Sequence, residues 1–256
     1  MITAYFDASG SPSHTPVMSL GGLVSTAEKW IAFSDQWEAC LEAIGASALH
    51  MREFAHSEGE FSSWKNDEPR RRRFLNGLMW AIENHVEYSV ACSVSMKDYR
   101  AIDTRYRLTE FMKPYTLVAS TCASAIIPWA KHKRQEPRDI VYIFEKGDVD
   151  QDDVRRCWDS QFLSYGISPI FLKKEDKLPA SEACAPIRPF EAADLITYEN
   201  FKANMTIEGR PEEIFFNALR KPLQRLYQLP GAKEWQRFEL GELEAVCSRY
   251  NVSERD

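Results

Sequence analysis

No two cysteines of this chain stand at Cys-x-x-Cys spacing. Cys40, Cys92, Cys122, Cys157, Cys184 and Cys247 are scattered singly. That pattern suggests neither a zinc ligand set nor a disulfide framework, and it reads as core or surface thiols in a reducing compartment. A membrane-length apolar run is missing too. The most apolar stretch, Thr116 to Ala130, is broken by Ser, Thr and Cys residues and by Pro128, so no membrane partner is expected. The N-terminus has no basic segment followed by an apolar stretch and a small-residue cleavage site, so a cytoplasmic location is expected. There is no Gly-rich phosphate loop, which disfavours a nucleotide hydrolase. Internal repeats, low-complexity tracts and convincing linkers are also lacking. One domain over residues 1–256 is therefore expected, with a core at about 1–205 and a helical extension at about 206–256.

Positive charge is in deficit. The net charge of −6 argues against a protein that coats nucleic acid without specificity. It leaves room for an enzyme whose acidic site holds a divalent metal behind a basic rim. Basic clusters occur at Arg70 to Arg73, at Lys131 with Lys133 and Arg134, and at Lys173, Lys174 and Lys177. Each reads first as a solvated helix end or loop.

What is present is a core-forming composition, 44% hydrophobic and 12% aromatic, which suits a packed fold. Alternation of Ile2, Ala4 and Phe6 with Thr3, Tyr5 and Asp7 predicts a strand over 2–7. A turn at Gly10 to Pro16 and a returning strand, Val17 to Ser25, complete a hairpin, with Gly21–Gly22 suggesting a bulge or bend. Thr26 opens a helix whose apolar stripe is Trp30, Phe33, Trp37 and Leu41. The irregular "LHMREF", 49–54, reads as a short strand. A second helix starts at Asp67 or Glu68, with Pro69 at its first turn. Glu87 to Met96 reads as a strand, and Leu108 to Lys131 as one long helix bent near Pro114. "IVYIF", 140–144, is apolar throughout, as a central strand covered on both faces requires. A helix from Gln151 to Leu163, a strand from Ile167 to Leu172 and an amphipathic helix over 190–203 follow. Helices at about 211–227 and 240–250 close the chain. The fold class is α/β.

Acids stand at telling positions. Asp7 ends the first strand, and Glu145 ends the most buried one, with Asp148 three residues on. Glu191 and Asp194 share a helix face, and Glu199 lies about two turns beyond Glu191. Ligands of open α/β sheets collect at the carboxyl ends of central strands, and clustered carboxylates repel unless protonated or bridged by a cation. A hard divalent ion, Mg²⁺ or Mn²⁺, answers that requirement, and two such ions suit phosphoryl transfer. Each acid also has a plain structural reading. Asp7 before Ser9–Gly10 suits an Asx turn, and Glu145 or Asp148 suits a cap for the helix near Gln151. Glu191 suits the dipole of its helix. Asp194, inside "AADLI", is the hardest to dismiss, because a lone buried acid is costly.

"YFDASG" and "RPFEAADLITYE", with "IVYIFEKGD" between them, resemble the motifs of the family known as domain of unknown function 3800. The likeness spans about residues 2–205. It implies a ribonuclease-H-like mixed five-stranded sheet flanked by helices, and a metal-dependent nuclease acting on RNA or DNA. Asp7 matches the family's first motif acid and Asp194 the last; Ser9 and Gly10 match the turn. Two positions depart: the family's Glu after the first Asp is Ala8 here, and the Gln three before the last Asp is Glu191. If positions 8 and 191 share a pocket, the charge is kept and rearranged; if not, the site is weakened. The expected metal ligands are Asp7, Glu145, Asp148, Glu191 and Asp194. "HMREFAH" is similar to a family region that carries His with an acid nearby, which adds His50, with Glu53, as a group for proton transfer. The alternative is a weakly active or inactive ribonuclease-H-like binding or regulatory protein of a mobile-element or phage-defence locus. Its partner would be a protein from that locus. The apolar residues around Trp235 and Leu240 serve either a homodimer or the core.

Overall fold

The first strand sorts its side chains between two cores. In the computed structural model, which describes residues 1–148, 150–173, 187–206, 224 and 235–254, Ile2, Ala4 and Phe6 enter one buried cluster and Tyr5 the other. Strand β1 (Ile2–Ser9) pairs antiparallel with β2 (Val17–Thr26), which pairs antiparallel with β3 (Tyr88–Ser95). On its other side β1 runs parallel to β4 (Ile140–Glu145), and β4 to β5 (Pro169–Leu172). A sixth strand, β6 (Trp235–Phe238), runs parallel to β3, and the order across the mixed sheet is β5-β4-β1-β2-β3-β6.

Helices cover both faces. One layer holds α1 (Ala27–Glu42), α2 (Met51–His56), α3 (Glu68–His85) and α8 (Arg188–Thr206). The other holds α4 (Met96–Arg105), α5 (Leu108–Phe111), α6 (Pro114–His132), α7 (Gln151–Gln161) and α9 (Leu240–Arg249). Among the described residues no helix is long and apolar enough to cross a membrane.

Several expectations change. "LHMREF" is no strand; Met51–His56 is a helix whose Met51 and Phe54 are buried. The long helix divides, because Pro114, which lacks an N–H, starts a new helix at its first turn. Pro128 then lies inside α6 without ending it. Among the described residues the sheet has six strands rather than five, and β6 places a strand within the segment expected to be helical. Trp235 packs partly buried against the second core, while Leu240 is exposed. The helix expected at about 211–227 lies outside the described residues apart from Gln224, as do Lys174, Lys177 and Cys184.

Gly21 and Gly22 form no bulge, since pairing runs unbroken through both. They are needed for close approach instead. A Cβ on Gly22 would stand 2.3 Å from the Phe6 ring, and one on Gly21 would stand 2.4 Å from Thr197 Oγ1 of α8. Gly21→Ala is therefore expected to destabilise the fold by about 1–3 kcal/mol, the usual cost of overpacking. Adding Thr197→Ala should recover part of that loss, because it removes the clashing atom. Urea unfolding of the two single variants and the double variant measures the coupling.

Candidate functional site

The β1–β4 register brings two of the expected acids together. Phe6 pairs with Phe144, their rings 4.5 Å apart between centroids in the first core. Asp7 and Glu145 are the next residues along these parallel strands. Side chains alternate along a strand, so both face the α8 layer. Leu172, paired with Glu145, packs on that same side, and Ala8 packs on the other. Asp7 does not end its strand; β1 continues to Ser9, which pairs with Ser19. Asp7 Oδ1 accepts the Ala8 N–H at 2.8 Å, and its carbonyl accepts the Thr197 hydroxyl at 3.1 Å. Helix α8 is thus tied directly to the backbone of the first acid.

Asp148 belongs to the turn that leaves β4. Gln151 organises this turn by donating Nε2–H to the Glu145 carbonyl at 2.7 Å and accepting the Gly147 N–H at 3.3 Å. Gly147 needs its freedom there, with φ at +137°. The cap of α7 is Asp150, which makes no side-chain capping bond, so neither Glu145 nor Asp148 fills the cap position.

Tyr115, only 1% exposed, reaches this turn from α6. Its hydroxyl interacts with Gln151 and Asp148. Burial first, and then the Asp148 charge, hold its pKa well above the ordinary tyrosine value, and Asp7 pushes the same way. No motif in the sequence marks Tyr115; the proline before it was the sole local signal.

Asp194 on α8 accepts the Met51 N–H through Oδ2 at 2.9 Å, so α2 begins against it. His50, the residue before α2, is exposed and adjoins this contact. Glu53 is turned toward the 3-10 segment that follows, where a Cβ on Gly59 would meet its Oε2 at 2.2 Å.

Glu191 is not brought to these acids as an open carboxylate. It is 2% exposed, and its Oε2 accepts Trp37 Nε1–H at 2.8 Å and Leu49 N–H at 2.9 Å. Its Oε1 pairs with Arg188, which also binds Glu38 and the Ser47 carbonyl. Both oxygens are engaged by protein donors, which gives Glu191 a structural role. Glu199 is buried on the same helix. Among the described residues no three of His, Cys, Asp and Glu are grouped so as to hold a metal ion.

A second ionic tie fixes α7 against α6. Lys113 Nζ binds Asp150 at 2.7 Å, and the 9%-exposed Asp153 accepts the Thr116 hydroxyl at 2.7 Å and pairs with Arg156. Burial alone would raise the Asp153 pKa; the bonds from Arg156 and Thr116 outweigh it and hold the carboxyl below its ordinary value.

Two outcomes follow from these ion pairs. Glu191→Ala should cost about 3–5 kcal/mol, since it strips a buried partner from Arg188, and Glu191→Gln should cost less; urea unfolding checks both. The depressed Asp153 stabilises the fold above its unfolded value of about 3.9, and that contribution disappears as pH falls through the lower folded value. Asp153→Asn should therefore flatten the acid limb of a stability–pH curve measured by urea unfolding. Comparison of the chain with protein-family models and with curated proteins found no match.

Proposed function

We propose that this chain is a metal-dependent phosphodiesterase acting on RNA or DNA, with a ribonuclease-H-like core resembling domain of unknown function 3800. One observation carries the reading: Asp7 and Glu145 occupy neighbouring positions on adjacent parallel strands, on the face crossed by the helix bearing Asp194. Strands β1 to β5 lie side by side, with β6 added at one edge, which accommodates the expected five-stranded core. The donors are hard carboxylate oxygens, which suit Mg²⁺ or Mn²⁺. Asp7, Glu145 and Asp194 would hold the ion, with Asp148 approaching from the α6 side. The bound ion would lower the pKa of a water and stabilise the leaving oxygen. The chain's own contribution is orientation. Thr197 ties α8 to Asp7, the Met51 N–H fixes Asp194, and Tyr115 with Gln151 holds the Asp148 turn.

Asp7→Ala and Asp194→Ala should each lower Mn²⁺-supported cleavage of labelled RNA or DNA by at least about 100-fold, the upper end of losses seen for outer-shell partners of metal sites. Cleavage at the wild-type rate in either variant overturns the reading.

A second reading, a non-catalytic binding or regulatory subunit, is favoured by one finding: the side chains as they stand group no three ligands among the described residues. Calorimetric titration with Mn²⁺ separates the two. Heat that is lost in Asp7→Ala supports the enzyme, and no heat from the wild-type protein supports the scaffold.

A further inference from the structure

Helices α2 and α8 run side by side in the same direction. Met51, at the start of α2, bonds Asp194, and five residues later His56 Nε2 lies 3.5 Å from the hydroxyl of Tyr198, one turn further along α8. Asp194, Tyr198 and Lys202 follow at intervals of four, so they lie along one helix face at steps of about 6 Å. Lys202 is exposed and its ammonium lies 5.9 Å from the centre of the Tyr198 ring. A second cation closes the same end. Arg71 of α3 lies over the Phe54 ring at 4.4 Å, and donates to Ser57 Oγ at 3.0 Å and to the Ala55 carbonyl at 3.5 Å. It therefore touches the residues on both sides of His56. Glu68, one turn earlier on α3, stands 3.9 Å from the Arg71 Nε.

The rim that starts at the acidic Asp194 thus changes within two helical turns to an imidazole, a phenol, a guanidinium and an ammonium. Three elements contribute them, and none belongs to the acidic set. Arg71 and His56 are already ordered by protein contacts, so little side-chain freedom remains to be lost when an anion binds.

We propose that His56, Arg71, Tyr198 and Lys202 form a phosphate subsite for a single nucleic-acid strand, seating a backbone phosphate neighbouring the one presented to the acids. This rests on the nucleic-acid reading above, though not on the metal. Guanidinium and ammonium groups supply charge-assisted bonds to phosphate oxygens, and the Tyr198 hydroxyl and the His56 ring supply directed donors. Asp194 repels a phosphate placed one step too far along, so the change of charge along the rim sets where the strand stops.

The test uses the full chain in chelator, where no metal chemistry operates. Fluorescein-labelled oligo(U) and oligo(dT) are titrated by anisotropy at several salt concentrations. The wild-type protein should bind at least one of them. Lys202→Ala should make the plot of log affinity against log salt shallower by about 0.7, the loss of one single-strand phosphate contact. Lys202→Glu and His56→Gln should weaken binding, the former by about tenfold or more, while Lys131→Ala, on the opposite helix layer, should not. If the wild-type protein binds and Lys202→Ala changes neither affinity nor slope, the subsite is overturned and the nucleic-acid reading survives. Equal weakening by Lys131→Ala also overturns it, since the binding is then diffuse. No binding of either oligonucleotide overturns the subsite, while Mn²⁺-supported cleavage by the wild-type protein decides the nucleic-acid reading separately.

Discussion

Helix α8 can lie where it does only because position 21 has no side chain. Thr197 occupies the space a Cβ would need, and its hydroxyl reaches past β2 to the Asp7 carbonyl on β1. This contact sets the height of α8 above the sheet, and with it the distance of Asp194 from the strand-end acids. Everything proposed about the site depends on that height. A methyl group at position 21 would lift the helix that carries Asp194, Tyr198 and Lys202 together.

The ends of α8 are fixed by polar groups rather than by apolar packing alone. At the start, Glu191 and Arg188 are both buried and bond Trp37, Leu49, Ser47 and Glu38, joining α8 to α1 and to the segment before α2. Further along, Asn200 and Asn204 donate to Ser93 Oγ, which shares a 2.6 Å hydrogen bond with Ser19 across β2 and β3. Arg237 of β6 bonds Asn204 in turn. A buried ion pair contributes little net stability over an apolar replacement, yet breaking one is costly. Such contacts act on position: a helix slid by one turn would leave each of these groups buried without its partner. The same anchors therefore hold the register of Asp194 with respect to Met51.

The alternation of Ile2, Ala4 and Phe6, the uniform apolarity of 140–144 and the stripe of α1 were all legible because burial writes itself as a period. The acids at positions 7 and 145 were legible as strand-end groups, although β1 runs on past Asp7. What failed to show is equally physical. "LHMREF" has too few residues to display a helical period, and its helix depends on Phe54 packing among Phe61, Trp64 and Phe74. Gly21–Gly22 looked like a bulge because a sequence does not reveal which helix will press on it. Four residues of β6 carry no strand signature apart from their neighbour β3. Tyr115 looked like any core aromatic until the turn after β4 was in place.

The two departures from the resembled family now separate. Residue 8 packs with the layer of α6 and α7, whereas Glu191 is buried in the layer of α1 and α3, so the two do not share a pocket. The acid gained at 191 does not replace the acid missing at 8; its charge is met by Arg188 inside the fold. A neutral amide there could accept from Trp37 and Leu49 but would leave Arg188 with Glu38 as its remaining carboxylate, so Glu191 and Arg188 make sense as a pair. At the strand ends, an acid approaching from the α6 side is Asp148, joined to Tyr115 and near enough to raise that hydroxyl together with Asp7. Asp148, and not Glu191, is therefore the acid that joins Asp7 around Tyr115.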